Sequence, residues 1–252
     1  MIKGIYTSFT AMEAAWQYQD MLANNIANAT TAGFKREVAA QQSFSDVLLS
    51  QQTPVLAPIG ARIQAVVGQI GTGTFIAEFS TDFGEGTLQA TGNELDLALN
   101  GGFFAVEAPD GQVFYTRDGR FGRDANGDLV TSHGYYVLDA DGAHITLPAE
   151  TVTVAPDGAI SRAGESIAAL QVVDFAPSQL TRAGEAYFTS AEAGMLINGG
   201  VRQGYLEASN TSMVEELTSL LAVQRTFQAN QTLLATLDAT LGQAADLGTL
   251  GA

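Results

Sequence analysis

The chain has 252 residues, no cysteine, 46% hydrophobic and 15% charged residues, and 27 acidic against 11 basic side chains for a net charge of −16. Those proportions belong to a globular protein and exclude wholesale disorder. The acidity argues against phosphate-backbone binding, which leaves a basic footprint. Disulfide and thiolate chemistry are excluded, and no run of about 18 apolar residues exists to span a membrane.

The start, "MIKGIYTSFTAMEAAWQYQD", holds one lysine and no apolar run of signal-peptide length, so any export is expected to proceed without a cleaved signal. Ile5, Phe9, Met12, Trp16, Ala23 and Ile26 follow alternating spacings of four and three, with Gln19 in one slot. That is a narrow heptad seam, not the wider stripe of a helix lying on its own core. The seam runs into "LANNIANATTAGFKRE" at residues 22–37, too polar for a core strand and costly inside a helix.

Residues 38–74 hold no clean period; "QQTPVLAPIGA" reads as a linker or extended arm and "GQIGTGT" as the approach to a sheet. From there the period becomes two. "GTLQATGNELDLAL" places Leu95, Leu97 and Leu99 on one face and Glu94, Asp96 and Ala98 on the other. The runs "QVFYTRDGRF", "DLVTSHGYYVL", "HITL", "TVTVAPDGAIS" and "IAALQVVDF" follow, with turns at Asp110-Gly111, Asp118-Gly119, Asn126-Gly127, Asp141-Gly142 and Asp157-Gly158. Short strands with such turns predict an antiparallel, hairpin-rich region over about 75–195.

At the C-terminal end Met213, Leu220, Phe227, Leu234 and Leu241 recur every seven residues. Val223 and Leu237 fill the companion position, which Glu216 and Asn230 interrupt. The expected fold is α+β, with N- and C-terminal helices paired in a coiled-coil-like inner domain around a central antiparallel β-rich domain. The expected domains are 1–33 with 211–252 (helical, inner), 34–74 with 196–210 (extended, connecting) and 75–195 (β-rich, outer).

No pattern points to chemistry. His133 and His144 lie in predicted strands without a helical histidine pair, so they read as strand-surface residues and no metal is expected. "DANGDL" alternates Asp124, Asn126 and Asp128, but Leu129 and Tyr135 stand where a calcium loop needs glycine and glutamate, so a turn is expected. "GQIGTGTF" lacks the P-loop lysine. Glu94 and Asp96 share a predicted strand face, which leaves a secreted carbohydrate-binding or glycosidase-like β domain with helical extensions as the alternative class. Neither a cofactor nor an enzymatic activity is expected. Each seam side chain contributes roughly 1.5–3 kcal/mol only once buried. Either the two end helices form an intramolecular hairpin or they pack between subunits, and the narrow seams favour the second.

Three blocks carry a resemblance. "NNIANATTAGFKR" (24–36), "NGGFFAVEAPDGQVFYTRDGRFGRDANGDLVTSHGYYVL" (100–138) and "QGYLEASNTSMVEELTSLLAVQRTFQANQTLL" (203–234) resemble, in that order, signatures of bacterial flagellar rod and hook proteins. Ile26 replaces the usual leucine and Thr211 a common valine. The length, "FSDVLL" (44–49) and "GTG" (71–73) resemble the distal rod subunit, with the proximal rod subunits left open.

The resemblance implies an axial structural protein of the basal body, needed for motility, exported through the flagellar type III apparatus and self-assembling into a helical tube beside other rod and hook subunits. On that reading Ile5, Phe9, Met12, Trp16, Ile26, Met213, Leu220, Val223, Phe227, Leu234, Leu237 and Leu241 form the subunit interface. Asn24, Asn25, Asn28, Gly33 and Phe34 form the helix exit. The asparagines cap or adopt left-handed backbone, Thr30 and Thr31 make local bonds, Gly33 supplies positive φ, and Phe34 anchors the departing chain on a neighbouring surface.

Overall fold

The computed structural model describes residues 2–44, 47–54, 62–197 and 199–250. Two helices, α1 (Ile2–Ala27) and α2 (Met213–Leu250), stand at the ends of the chain, with strands between them. The chain divides into two compact units. One comprises Met1–Asn24, Glu37–Ser80 and Val214–Ala252; the other comprises Asn25–Arg36 and Thr81–Met213.

In the first unit the covered side of α2 is narrow. Ser219, Leu220, Val223, Phe227, Asn230, Leu234, Leu237 and Leu241 are half-buried, and every other residue from 217 to 246 is exposed. The heptad row is therefore the contact row, as its period demands. Glu215 and Glu216 occupy the first turn, where they complement the positive end of the helix dipole. Exposed threonines along α2 turn their hydroxyls inward: Thr218, Thr226, Thr232 and Thr240 each donate to the carbonyl four residues back.

Helix α1 departs from its sequence reading. Its buried residues are Ser8, Thr10, Ala14, Ala15, Met21, Leu22 and Asn25, none of which belongs to the predicted seam. Phe9 and Trp16 are 55% and 60% exposed. The cause is size. Small side chains let two helix axes approach closely, and a Cβ added at Gly4 would lie 3.3 Å from Leu237 Cδ1. The same unit holds Glu37–Ser43 paired with Thr74–Thr81, and Val47–Pro54 antiparallel to Arg62–Ile70. Much of the stretch without a clean period is thus strand; 55–61 of the expected arm and residues 45–46 of "FSDVLL" lie outside the described residues.

The second unit is built on a nine-stranded sheet. Its path runs Leu180–Arg182, Tyr187–Ser190, Val113–Thr116, Phe103–Glu107, Tyr136–Val137, Leu129–Thr131 and Phe121–Arg123, and Val172–Asp174 joins beside Phe103 and Phe104 with Met195–Leu196 beyond it. Phe103–Glu107 is the central strand, and alternation splits its side chains between two cores. Phe104 and Val106 join Leu97, Leu99, Phe121, Leu129 and Ile145 on one side; Phe103 and Ala105 join Val173, Phe175 and Phe188 on the other.

Two strand readings change. Asp96 and Ala98 are as buried as the leucines beside them, and Asn93 donates to the Asp96 carboxylate at 3.1 Å. Asp118-Gly119 does not close a hairpin, since Val113–Thr116 and Phe121–Arg123 are not neighbours in the sheet. Gly119 is needed instead for close approach, because a Cβ there would fall 1.6 Å from the Leu97 carbonyl oxygen.

Candidate functional site

The polar stretch after α1 is where the second unit gathers its charges. The helix ends at Ala27 and continues as turns, with the Ala29 amide on the Ile26 carbonyl and the Thr31 amide on the Asn28 carbonyl. Asn25 and Asn28 are buried, and the Thr31 hydroxyl donates to the Asn28 side-chain oxygen at 3.2 Å. The left-handed residue is Gly33, at φ +65°, while none of the asparagines has positive φ. A Cβ at Gly33 would lie 2.2 Å from the Arg117 carbonyl carbon, so glycine answers both conformation and space there.

From Gly33 onward the chain is fastened residue by residue. The Gly33 amide donates to the Glu207 carbonyl at 2.8 Å. Phe34 is wholly buried, with the Arg182 guanidinium 5.0 Å above its ring. The surface that receives it is this chain's own β unit. Lys35 is buried too; its Nζ lies 2.6 Å from Glu207 Oε1 and donates to the Gly84 carbonyl at 2.8 Å. Arg182 also donates to the Lys35 carbonyl. The Arg36 amide donates to the Asn210 side-chain oxygen at 2.8 Å, and its guanidinium pairs with Asp82 at 3.0 Å.

Glu207 is the centre of this junction. It is 2% exposed and accepts from Lys35, from Arg117 at 3.2 Å and from the Gly86 amide at 2.8 Å. Arg117 in turn lies 5.0 Å over the Phe103 ring. Burial holds the Lys35 ammonium below the usual lysine range, against the opposing pull of the Glu207 bond and charge. The Gly84 amide, and then Arg36, hold the Asp82 carboxyl below its usual range. Near Gly33, burial pushes the Asp118 carboxyl up.

Such a cluster gains little net stability from its Coulomb energy, yet removing one partner of a buried pair costs about 3–5 kcal/mol. Its product is geometry. It fixes how the segment leaving α1 meets the strand Tyr205–Glu207 that precedes α2. Sequence reasoning picked out Gly33 and Phe34 but missed Lys35, Arg117 and Glu207, although all three stand inside the quoted blocks.

The seam residues fall elsewhere, on the first unit's helices apart from Ile26 and Met213. Ile5, Met12 and Ile26 are half-buried like the α2 row, while Phe9, Trp16 and Met213 are exposed. The Asp124 loop is a turn: its carboxylate accepts the Asn126 and Asp128 amides at 2.9 and 2.8 Å. His133 and His144 are both exposed; the second pairs with Glu107 at 2.8 Å and stacks on Tyr136. No group of three or more metal-ligating side chains forms among the described residues.

Three families match the chain. "Flagella basal body rod protein" covers residues 5–35, "Flagellar hook protein FlgE/F/G D1 domain" covers 98–162, and "Flagellar basal body rod FlgEFG protein C-terminal" covers 202–247. The flagellar basal-body rod protein FlgG of Bacillus subtilis (strain 168) is 32% identical over 267 residues, 98% of this chain and 99% of that protein. FlgG of Borreliella burgdorferi is 32% identical over 269 residues, and FlgF of Rhizobium meliloti (strain 1021) 32% over 259, covering 98% and 100% of this chain and 99% of each relative. The chain belongs to the flagellar rod and hook family.

Each region matched to this family gives one member to the buried triad: Lys35 from the first, Arg117 from the second, Glu207 from the third. The family's segments thus meet physically at one carboxylate. The glycosidase alternative loses its footing, because Asp96 is buried and Glu94 exposed. No helix among the described residues is long and apolar enough to cross a membrane.

Proposed function

We propose that this chain is a structural subunit of the bacterial flagellar basal-body rod, most like the distal rod subunit. It assembles with copies of itself and with other rod and hook subunits into a helical tube that transmits torque to the hook and forms part of the export channel. It reaches the basal body through the flagellar type III apparatus. The observation that carries the reading is likeness to rod proteins along nearly the whole chain. The exposed stripe of α1 agrees with it: Tyr6, Phe9 and Trp16 are all more than half exposed. Large exposed aromatics on one face suit contact with the next copy in an open helical array.

The test is a strain lacking the gene, complemented with wild type or with Trp16→Asp. Wild type restores swimming and complete basal bodies; the variant yields soluble, folded subunit that fails to enter the rod. Normal swimming of the deletion strain would refute the assignment. Purified subunit that stays monomeric in a light-scattering concentration series, and that no isolated basal body contains, would refute it as well.

A further inference from the structure

Glu207 accepts from two buried cations that the sequence places far away, Lys35 at a separation of 172 residues and Arg117 at 90. Beside them the exposed Glu85 acts on Lys35 by its charge, less strongly than Glu207. If the Glu207 carboxylate were absent, docking residues 33–36 would bury two cations with no anion between them, a state that proteins avoid. Two backbone bonds of the same place run through this end of the chain, beside the Asp82 amide that donates to the Arg36 carbonyl at 2.9 Å. Gly33 donates to the Glu207 carbonyl and Ala208 to the Thr87 carbonyl. Of the adjoining segment, Phe83 packs against the core that holds Phe103 and Phe188.

We propose that Glu207 is a charge latch. Residues 33–36 and 84–87 stay docked on the β unit only while its carboxylate is in place, so fixing the exit of α1 is a single event controlled by the strand before α2. That event is separable from folding of the sheet. A chain emerging N-terminus first keeps this exit undocked until residue 207 arrives. The latch concerns the isolated chain and does not depend on the rod reading.

Amide hydrogen exchange on the full chain tests it. In Glu207→Gln the amides of Gly33, Gly86 and Ala208 should exchange at least about 100-fold faster, the ratio that an orphaned buried pair implies. The amides of Leu129 and Leu170, bonded within the sheet region, should keep their wild-type rates. Adding Lys35→Met to Glu207→Gln removes one orphaned cation and should slow the three fast amides by about tenfold or more. Equal acceleration at Leu129 and Leu170, unchanged exchange at Gly33, or a double variant faster than the single would each overturn the latch. Should Glu207→Gln fail to fold, docking and sheet folding are one event and the latch is overturned.

Discussion

Gly33 sits at φ +65° with its α-carbon against the Arg117–Asp118 peptide, and valine there meets two separate obstacles. A β-branched residue in left-handed backbone costs about 1–3 kcal/mol. The side chain would also have to displace backbone atoms 2.2–2.4 Å away. Gly33→Val is therefore expected to lower the melting temperature of the β unit itself as well as to disturb the helix exit, by near-UV circular dichroism; an unchanged melt would show that the exit yields instead. Asp82 gives a prediction in pH. Its carboxyl is held below the ordinary aspartate value, so its contribution is present above that value and fades as pH falls through the lower folded-state pKa. Asp118, pushed up by burial, works in the opposite sense, so the comparison must be between wild type and Asp82→Asn. Thermal melts from about pH 6 to about pH 2.5 should show the variant less stable at the upper end and the difference closing at the lower. The need for glycine at 33 was legible, because local backbone rules apply within a few residues. The charges at 35, 117 and 207 were not, since nothing local records which cation a carboxylate 172 residues away will meet.

A helix announces its seam through large apolar residues, and the two helices obey that signal differently. In α2 the heptad residues from Leu220 to Leu241 form the half-buried face, as read from sequence. In α1 the buried face up to residue 15 is made of the small or polar Ser8, Thr10, Ala14 and Ala15, which hydrophobic periodicity overlooks, while Phe9 and Trp16 are exposed. Two substitutions separate these faces. Leu237→Asp places a charge against Gly4, and an unpaired charge entering a closely packed contact is costly. It should reduce the melting temperature of the helical signal by several degrees in dilute monomer, for a loss of about 1–3 kcal/mol at a half-buried site. Trp16→Ala should leave that melt within about 0.5 kcal/mol of wild type, as exposed substitutions usually do, yet weaken association in a concentration series. A destabilised monomer from Trp16→Ala, or an unaffected one from Leu237→Asp, would reverse the assignment of faces. The strands of the β unit were readable for a simpler reason: each Asp-Gly or Asn-Gly turn is local, whereas the tight approach of Gly119 to Leu97 is a tertiary fact and passed for one more turn.

Across the whole molecule, the unit that carries the sheet is assembled from two separate stretches, Asn25–Arg36 and Thr81–Met213. Limited proteolysis followed by mass spectrometry should yield a resistant fragment close to 81–213 that retains 25–36 even after cuts in 37–80. Loss of 25–36 as a free peptide under non-denaturing conditions would contradict that assembly. The chain crosses between its units four times, at residues 24–25, 36–37, 80–81 and 213–214. Arg36, Asp82 and Asn210 stand just inside three of those crossings, and they are bonded to one another: Arg36 to both, Asn210 to the Asp82 carbonyl at 2.8 Å. In mechanical terms the three strand ends share one knot inside the second unit: displacing any one of them there loads the other two.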